Sequence, residues 1–283
     1  MRMADTPLAG QVAFVTGTTR GIGKALALSL AEAGARVVST GKTTEPRDDL
    51  PGTIYETRDA IREAGGESIA IELDVRDPEN VQSAIDRTVE EWGRLDIVVN
   101  NAGAIHFAPI ADTPAKRFDL LMDVNARGAY VTTRAALPHL REGDGGHAIM
   151  MSPPVAMDAA PGKAPYALSK HGMTFIAKSL AAEETNVGVN ALWPVTAIES
   201  EATRHFNMGT PEDWRTPDVV CDATLEILTS DPTDCTGNAF YDEEVLSQAG
   251  VDDFSEYAVV EGNDPGPTSA QLFDPDFERP DEW

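Results

Sequence analysis

The sequence predicts a doubly wound α/β fold of Rossmann type, a parallel sheet of about seven strands covered by helices. Three observations predict it. Short β-branched runs alternate with longer helical patterns across residues 1–200, a glycine-rich turn directly follows the first run, and chemistry-bearing residues recur where later runs end. The chain has 283 residues and is 42% hydrophobic, enough for a sizeable core, which excludes collagen, coiled coil and wholesale disorder.

Strands are expected at 11–16, 35–40, 68–72, 95–100, 147–151 and 188–193, with helices at 21–33, 53–64, 78–91, 116–137 and 166–184. Six βα units at this spacing need one sheet, because right-handed crossovers place successive helices on its two faces. A seventh short strand is expected at 238–241. After Thr196 the pattern loosens into helix-like stretches at 197–207 and 219–229, flanked by Pro194, Pro211, Pro217 and Pro232, as in the substrate loops of many α/β enzymes. Residues 231–283 carry 15 acids and one base, with Pro265, Pro267, Pro275 and Pro280 near the end. The expected organisation is one domain over 7–245 and an acidic extension over 246–283 that wraps the surface or is partly disordered.

Forty-seven acids against 22 bases give a formal net charge of −25. Such a surface repels phosphate backbones and anionic headgroups, so neither nucleic acid nor membrane is an expected partner. The bases are 16 Arg and only 6 Lys, an acid-rich, lysine-poor balance that suits a salt-adapted, halophilic source where self-repulsion is screened. Cys221 and Cys235 have no CxxC spacing, which argues against a disulfide framework or a zinc site. Residues 1–10 hold no apolar stretch of signal-peptide length, and nowhere do 18 uncharged apolar residues run together. A soluble, cytoplasmic protein is expected.

Thr16-Gly17-Thr18-Thr19-Arg20-Gly21-Ile22-Gly23 falls at the turn from the first strand to the first helix. Glycines there allow a tight turn and close approach to a pyrophosphate, while the helix N-terminus supplies free N–H groups and partial positive charge. This context points to dinucleotide binding rather than an ordinary Gly-rich turn. An acid ending the second strand would bind the ribose of NAD and repel the extra phosphate of NADP, but the sequence there is Thr40-Gly41-Lys42. Arg20 and Lys42 favour NADP over NAD, unless they are surface charges answering the surrounding acids.

Tyr166 and Lys170 are four residues apart on a predicted helix and share a face. A phenol ordinarily titrates at about 10, so shuttling a proton near pH 7 takes roughly 4 kcal/mol of preference for its anion. A neighbouring ammonium and a cationic nicotinamide ring supply such a preference. Alone, the pair is ordinary. It is accompanied by Ser152 ending the fifth strand, Asn125 ahead of Gly128, and Asn100-Asn101-Ala102-Gly103 ending the fourth, all at carboxyl ends of strands or on the helix beginnings that follow.

With these motifs in order, TGTTRGIG at 16–23, Asp74-Val75, NNAG at 100–103, Asn125, Ser152 and YALSK at 166–170, the chain resembles a short-chain dehydrogenase/reductase. The resemblance implies Tyr166 as general acid/base, Lys170 holding the ribose hydroxyls and depressing the tyrosine pKa, and Asn125 anchoring a water that links Lys170 to solvent. It implies Ser152 on the substrate oxygen, Gly17, Gly21, Ile22 and Gly23 as the pyrophosphate turn with Thr18 and Thr19 between them, Asp74 at the adenine and Asn100 on the adenosine side. GKTTEPRDDLPGTIYET, SPPVAMD, NALWPVTAIES and TGNAFYDEE are similar to the hydroxysteroid dehydrogenase-like branch, which in some members carries a C-terminal sterol-carrier domain.

Two departures bear on the site. The family's catalytic serine stands about thirteen residues before the tyrosine, where this chain has Pro153, with Ser152 one earlier; either the loop is one residue longer and Ser152 serves, or the hydroxyl is missing. The Pro-Gly after the sixth strand is replaced by Pro194-Val195, which unsettles the carboxamide contact expected near Ile198. The leading expectation is an NADP(H)-dependent oxidoreductase acting on a carbonyl or secondary alcohol. The competing one is a catalytically retired nucleotide-binding sensor or scaffold. Residues 197–216, with Ile198, His205, Phe206, Met208 and Trp214, are expected to form a partly apolar lid fitting fatty acyl, terpenoid or steroid carbonyls. His106 and His171 are expected to be packing residues, and Met150, Met151, Met157 and Met173 mostly core filler. Met173, Phe175, Ile176 and Leu180 circle more than one face of the Tyr166 helix, so a homodimer or homotetramer through that helix is expected.

Overall fold

A computed structural model describes residues 6–47, 51–157, 161–280 and 282–283. Parts of the motif segments at 41–57 and 152–158 and of the amino-terminal stretch lie outside the described residues. The elements, in chain order, are β1 (Val12–Thr16), α1 (Gly21–Glu32), β2 (Arg36–Gly41), α2 (Ile54–Glu63), β3 (Ser68–Glu72), α3 (Pro78–Trp92), β4 (Ile97–Asn100), α4 (Ala115–Met122), α5 (Gly128–Leu140), β5 (Gly146–Met151), α6 (Ala164–Glu183) and β6 (Val187–Trp193). There follow β7 (Ala197–Ile198), α7 (Glu201–His205), β8 (Trp214–Arg215), α8 (Asp218–Leu228), β9 (Ala239–Tyr241) and α9 (Asp242–Gln248).

Seven strands form one parallel sheet in the order β3-β2-β1-β4-β5-β6-β9. The order reverses between β1 and β4, which opens a crevice at their carboxyl ends. The central strands are buried on both faces and so are almost continuously apolar, as in VAFVT and IVVN. One face packs Leu26 and Leu30 of α1 against Val219, Val220 and Ile227 of α8 and Leu246 of α9. The other packs Val81 and Ile85 of α3, Ala136 of α5 and Met173 and Ala177 of α6. Helix starts are chemically marked. Thr53 accepts from the Glu56 N–H at α2, and Asp77 accepts from Glu79 and Asn80 with Pro78 leading α3.

Two expected helices differ. The one at 116–137 is divided into α4, a π-helical turn Asp123–Arg127, and α5. The widened turn carries Asn125 inward, where its side chain binds main chain and side chain of other segments; Gly128 follows because a Cβ there would meet Val75 Cγ2 at 2.8 Å. At 197–207 the chain first runs extended, β7 pairing with β8, and only then forms α7 behind a reciprocal Ser200–Thr203 cap. After α9 the chain folds back on the sheet's carboxyl end with short 3₁₀ turns at Ser255–Tyr257 and Ala270–Leu272, burying Tyr257, Ala270 and Phe273. No helix among the described residues is long and apolar enough to cross a membrane.

Candidate active site

The crevice holds a cavity of about 800 Å³ running from the glycine turn to the start of α6. Its first end is built by main chain. Gly17 has φ +75°, and a Cβ there would stand 3.0 Å from Ala102 Cα. At Gly23 a Cβ would collide with the Gly17 carbonyl and with Asn101 Nδ2, so only glycine allows the turn to close under α1. Thr16 Oγ1 accepts from the N–H groups of Asn101 (3.0 Å) and Ala102 (2.9 Å), while Asn101 Nδ2 donates to the carbonyls of Thr16 (2.9 Å) and Gly17 (3.1 Å). The NNAG segment thus locks the turn's shape.

Gly17, Thr19, Arg20, Gly21, Ile22 and Gly23 line the cavity. Thr18 is buried beneath it, bonded to Ser39 Oγ (2.8 Å) and the Thr40 carbonyl (3.2 Å). Asn100 also sits beneath, donating to Thr133 Oγ1 (2.9 Å); its neighbour Asn101 faces the turn. Of the NNAG motif the resemblance gives the adenosine side to Asn100, yet adjacent residues point opposite ways and Asn101 is the one that lines the cavity. α1 begins without a side-chain cap or an acid in its first turn, so its N–H groups remain available for an anion.

Three cations surround this end. Arg20 donates through Nε to the Pro51 carbonyl (2.8 Å), and its Nη2 is buried without a hydrogen-bond partner among the described residues. Lys42 pairs with Asp74 at 3.1 Å, and Arg76, missed in the sequence, pairs with it at 2.6 Å. Arg76 first, then Lys42, hold the Asp74 carboxyl well below the usual carboxylate range. The glycine cradle, the uncapped helix start and the partnerless guanidinium nitrogen fit a nicotinamide dinucleotide. No group of three or more metal-ligating side chains occurs among the described residues.

The second end is built on α6. Lys170 Nζ donates to the Met151 carbonyl at 2.7 Å and lies 5.2 Å from the Trp193 ring. Burial pushes its ammonium down to about 7, and burial pushes the Tyr166 phenol up. The Tyr166 ring is seated between Phe107 at 5.4 Å and Phe273 at 5.8 Å. Asn125 is fully buried; its Oδ1 accepts from the Ala104 N–H (2.7 Å), and its Nδ2 donates to the Ala104 carbonyl (3.0 Å) and Ser169 Oγ (2.8 Å). Ser169 donates in turn to the Tyr166 carbonyl, so Asn125 braces the first turn of α6.

Tyr166 and Lys170 share the cavity with the glycine turn, but Ser152 does not reach it. Its hydroxyl is fully buried, accepting from Thr174 Oγ1 (2.9 Å) and facing the Met150 carbonyl at 3.5 Å, while Thr174 also holds the Pro153 carbonyl at 2.6 Å. Ile198, His205, Phe206 and Met208 of the expected lid line the cavity. Trp214 is buried behind it and donates to the Met208 carbonyl at 2.7 Å. Met151 lines the cavity, Met150 and Met173 are core, Met157 is exposed, and neither His106 nor His171 lines it.

The arrangement combines a cradle for a dinucleotide with a buried tyrosine and lysine beside an apolar chamber. The chain belongs to the short chain dehydrogenase family, whose model matches residues 11–208. It is 41% identical over 260 residues to hydroxysteroid dehydrogenase-like protein 2 of Xenopus tropicalis and 40% identical over 260 residues to the mouse protein of that name. Both alignments take in 90% of this chain, which spans 62% of the frog relative's length and 53% of the mouse relative's. A crystal structure from Xanthomonas campestris superposes with a TM-score of 0.88 at 39% identity, covering 92% of this chain and 97% of that one. A short chain dehydrogenase from Mycobacterium thermoresistibile gives 0.86 at 37% identity, with 92% and 94% covered. Membership of this family supports an oxidoreductase reading and implies a nicotinamide cofactor, NAD or NADP.

Proposed function

We propose that this oxidoreductase uses NADP(H) to interconvert a carbonyl and a secondary alcohol on an apolar small molecule of fatty acyl, terpenoid or steroid-like kind. The observation that carries the reading is that Tyr166 and Lys170 open into the same cavity as a glycine turn ringed by Arg20, Lys42 and Arg76, with no acid ending β2. Gly17, Gly21, Ile22 and Gly23 would hold the pyrophosphate, Arg20 and Lys42 the 2′-phosphate, and Lys170 the ribose. The bound nicotinamide supplies the hydride and, when oxidised, a positive charge.

Tyr166 gives its proton to the oxygen that becomes alkoxide, and takes it back in the reverse direction. The charged form of Lys170 stabilises the phenolate, against the burial that raises the phenol in the free protein. Asn125 and Ser169 keep the first turn of α6 in place while the proton moves. Phe107 and Phe206, in edge contact at 5.7 Å, give the substrate end of the cavity an apolar lining.

One observation favours a retired nucleotide-binding sensor instead: Ser152 faces Thr174, away from the cavity. Parallel nicotinamide-fluorescence titrations with NADPH and NADH in multimolar KCl, followed by a carbonyl screen, separate the two. Tight NADPH, weak NADH and turnover of a ketone or aldehyde are expected; NADPH binding without turnover of any carbonyl or alcohol supports the sensor. The acid surplus supports a salt-adapted source, and the free Cys221 and Cys235 suit a reducing cytoplasm. Tyr130 of α5 (52% exposed) and Leu168 and Phe175 of α6 (53% and 71%) support a homodimer or homotetramer through these helices.

A further inference from the structure

We propose that residues 268–273 of the carboxyl-terminal segment are the substrate-selecting wall of this site, with Ser269 Oγ donating to the substrate's oxygen and Leu272 setting the length of apolar chain admitted. The proposal rests on the oxidoreductase reading above. It starts from Ser152, the hydroxyl the sequence offers for the substrate oxygen, which is turned away into α6. Among the hydroxyls lining the substrate end, those of Ser200 and Thr203 are occupied with each other and with main chain at the start of α7. Ser269 lines the cavity at 4% exposure, and its hydrogen bonds to Val195 and Trp193 run through its main chain, which leaves the hydroxyl for the cavity. A hydroxyl that lines an apolar cavity is a position for a ligand's polar atom.

The wall is held firmly enough to select. The Ser269 and Ala270 N–H groups both donate to the Val195 carbonyl at 3.0 Å, and the Ser269 carbonyl accepts from Trp193 Nε1 at 3.4 Å. Thr268 Oγ1 accepts from the Ala197 N–H at 3.1 Å, tying the wall to the lid's first residue. Phe273 is 2% exposed and packs 5.4 Å from Trp193 as well as against Tyr166, so the wall ends on the proton-carrying side chain. Beyond it, Arg279 grips Glu243 through Nε (2.7 Å) and Nη2 (3.0 Å) and also donates to Thr196 Oγ1 (3.0 Å). Glu243 is 2% exposed and is held from its other side by Arg215 at 2.7 Å. Leu272 faces the same chamber as Phe107 and Phe206, giving an apolar run beyond the Ser269 hydroxyl.

The test uses the straight-chain 2-alkanones from 2-hexanone to 2-tetradecanone. Binding to the full-length protein with NADP⁺ is read by calorimetry, and turnover by NADPH oxidation. Ser269→Ala is expected to weaken every ketone about five- to tenfold whatever its length, the loss typical of one hydrogen bond. Leu272→Trp is expected to leave 2-hexanone within about twofold and to weaken 2-dodecanone and longer ketones more than tenfold by filling the chamber. NADPH affinity stays at the wild-type value in both. If Leu272→Trp does not fold, Leu272→Ala reads the same position by admitting branched ketones that the wild type rejects. Wild-type ketone affinities in both Ser269 and Leu272 variants overturn the proposal while turnover upholds the oxidoreductase reading. Absence of ketone binding to the wild type also overturns it. The expected binding pattern without turnover keeps the wall and removes the oxidoreductase reading.

Discussion

The cavity's two ends are made in different ways. At the nucleotide end, Gly17, Gly21 and Gly23 shape the main chain and leave its N–H groups to do the binding, with Asn101 and Thr16 fixing the turn from beneath. At the substrate end, side chains from segments far apart in sequence converge: Phe107 after β4, His205 and Phe206 at the end of α7, Ser269 and Leu272 beyond α9. The contrast follows from what each end recognises. A dinucleotide is constant and is met by a turn that tolerates no Cβ, whereas substrate shape is set by loops that can vary without disturbing the sheet.

The comparison is broken most severely by Gly23→Ala. Its new methyl group meets the Gly17 carbonyl and Asn101, so the turn must open; a cost of about 2 kcal/mol would weaken NADPH roughly thirtyfold. Fluorescence titration checks this, and ketone binding to the remaining chamber should change far less. A smaller effect is expected from Lys42→Ala or Arg20→Ala, each weakening NADPH about tenfold while leaving NADH within about twofold, since a charge-assisted contact to the 2′-phosphate is lost. Equal losses for both nucleotides would show that these cations only steady the turn.

Lys170 joins the two ends, and its burial gives a pH signature. Its folded value of about 7 lies below the value of about 10.4 in the unfolded chain, so between these the unfolded state binds more protons and stability rises with pH. Below pH 7 the penalty is fully present. Denaturant titrations of wild type and Lys170→Met from pH 7 to 9.5 should therefore show the wild type gaining on the variant as pH rises; a constant difference would mean that the ammonium is not desolvated. The smallest effect belongs to Ser152→Ala, which should cost about 1 kcal/mol of stability through the lost Thr174 contact and leave turnover within about threefold. A hundredfold loss of turnover would restore Ser152 to the reacting oxygen.

How much the sequence discloses follows the same division. The sheet, the glycine turn and the Tyr166–Lys170 pair are local patterns: a strand period, a strand-to-helix turn and an i,i+4 spacing. The π-helical turn at Asn125 was invisible because its cause, contact with Ala104 and Ser169, lies in other segments. The sequence leaves Ser152 undecided, since counting residues to Tyr166 says nothing of which way its hydroxyl turns. Arg76 has no motif of its own in the sequence, and its place at this end comes from its pairing with Asp74. The acids after residue 231 leave a surface-wrapping and a partly disordered extension equally open; in the structure Arg279 pairs with Glu243, and Phe273 packs beside Tyr166. Composition carries no information on such pairing.

The central claim is that the two ends meet at Tyr166, and the most direct test is to compare wild type with Tyr166→Phe in one carbonyl screen, with NADPH binding measured on the same samples. Tyr166→Phe removes one hydroxyl and keeps the ring between Phe107 and Phe273. The expected result is unchanged NADPH affinity with turnover reduced about 100-fold or more, the scale of a lost general acid. Wild-type turnover in Tyr166→Phe would contradict the account.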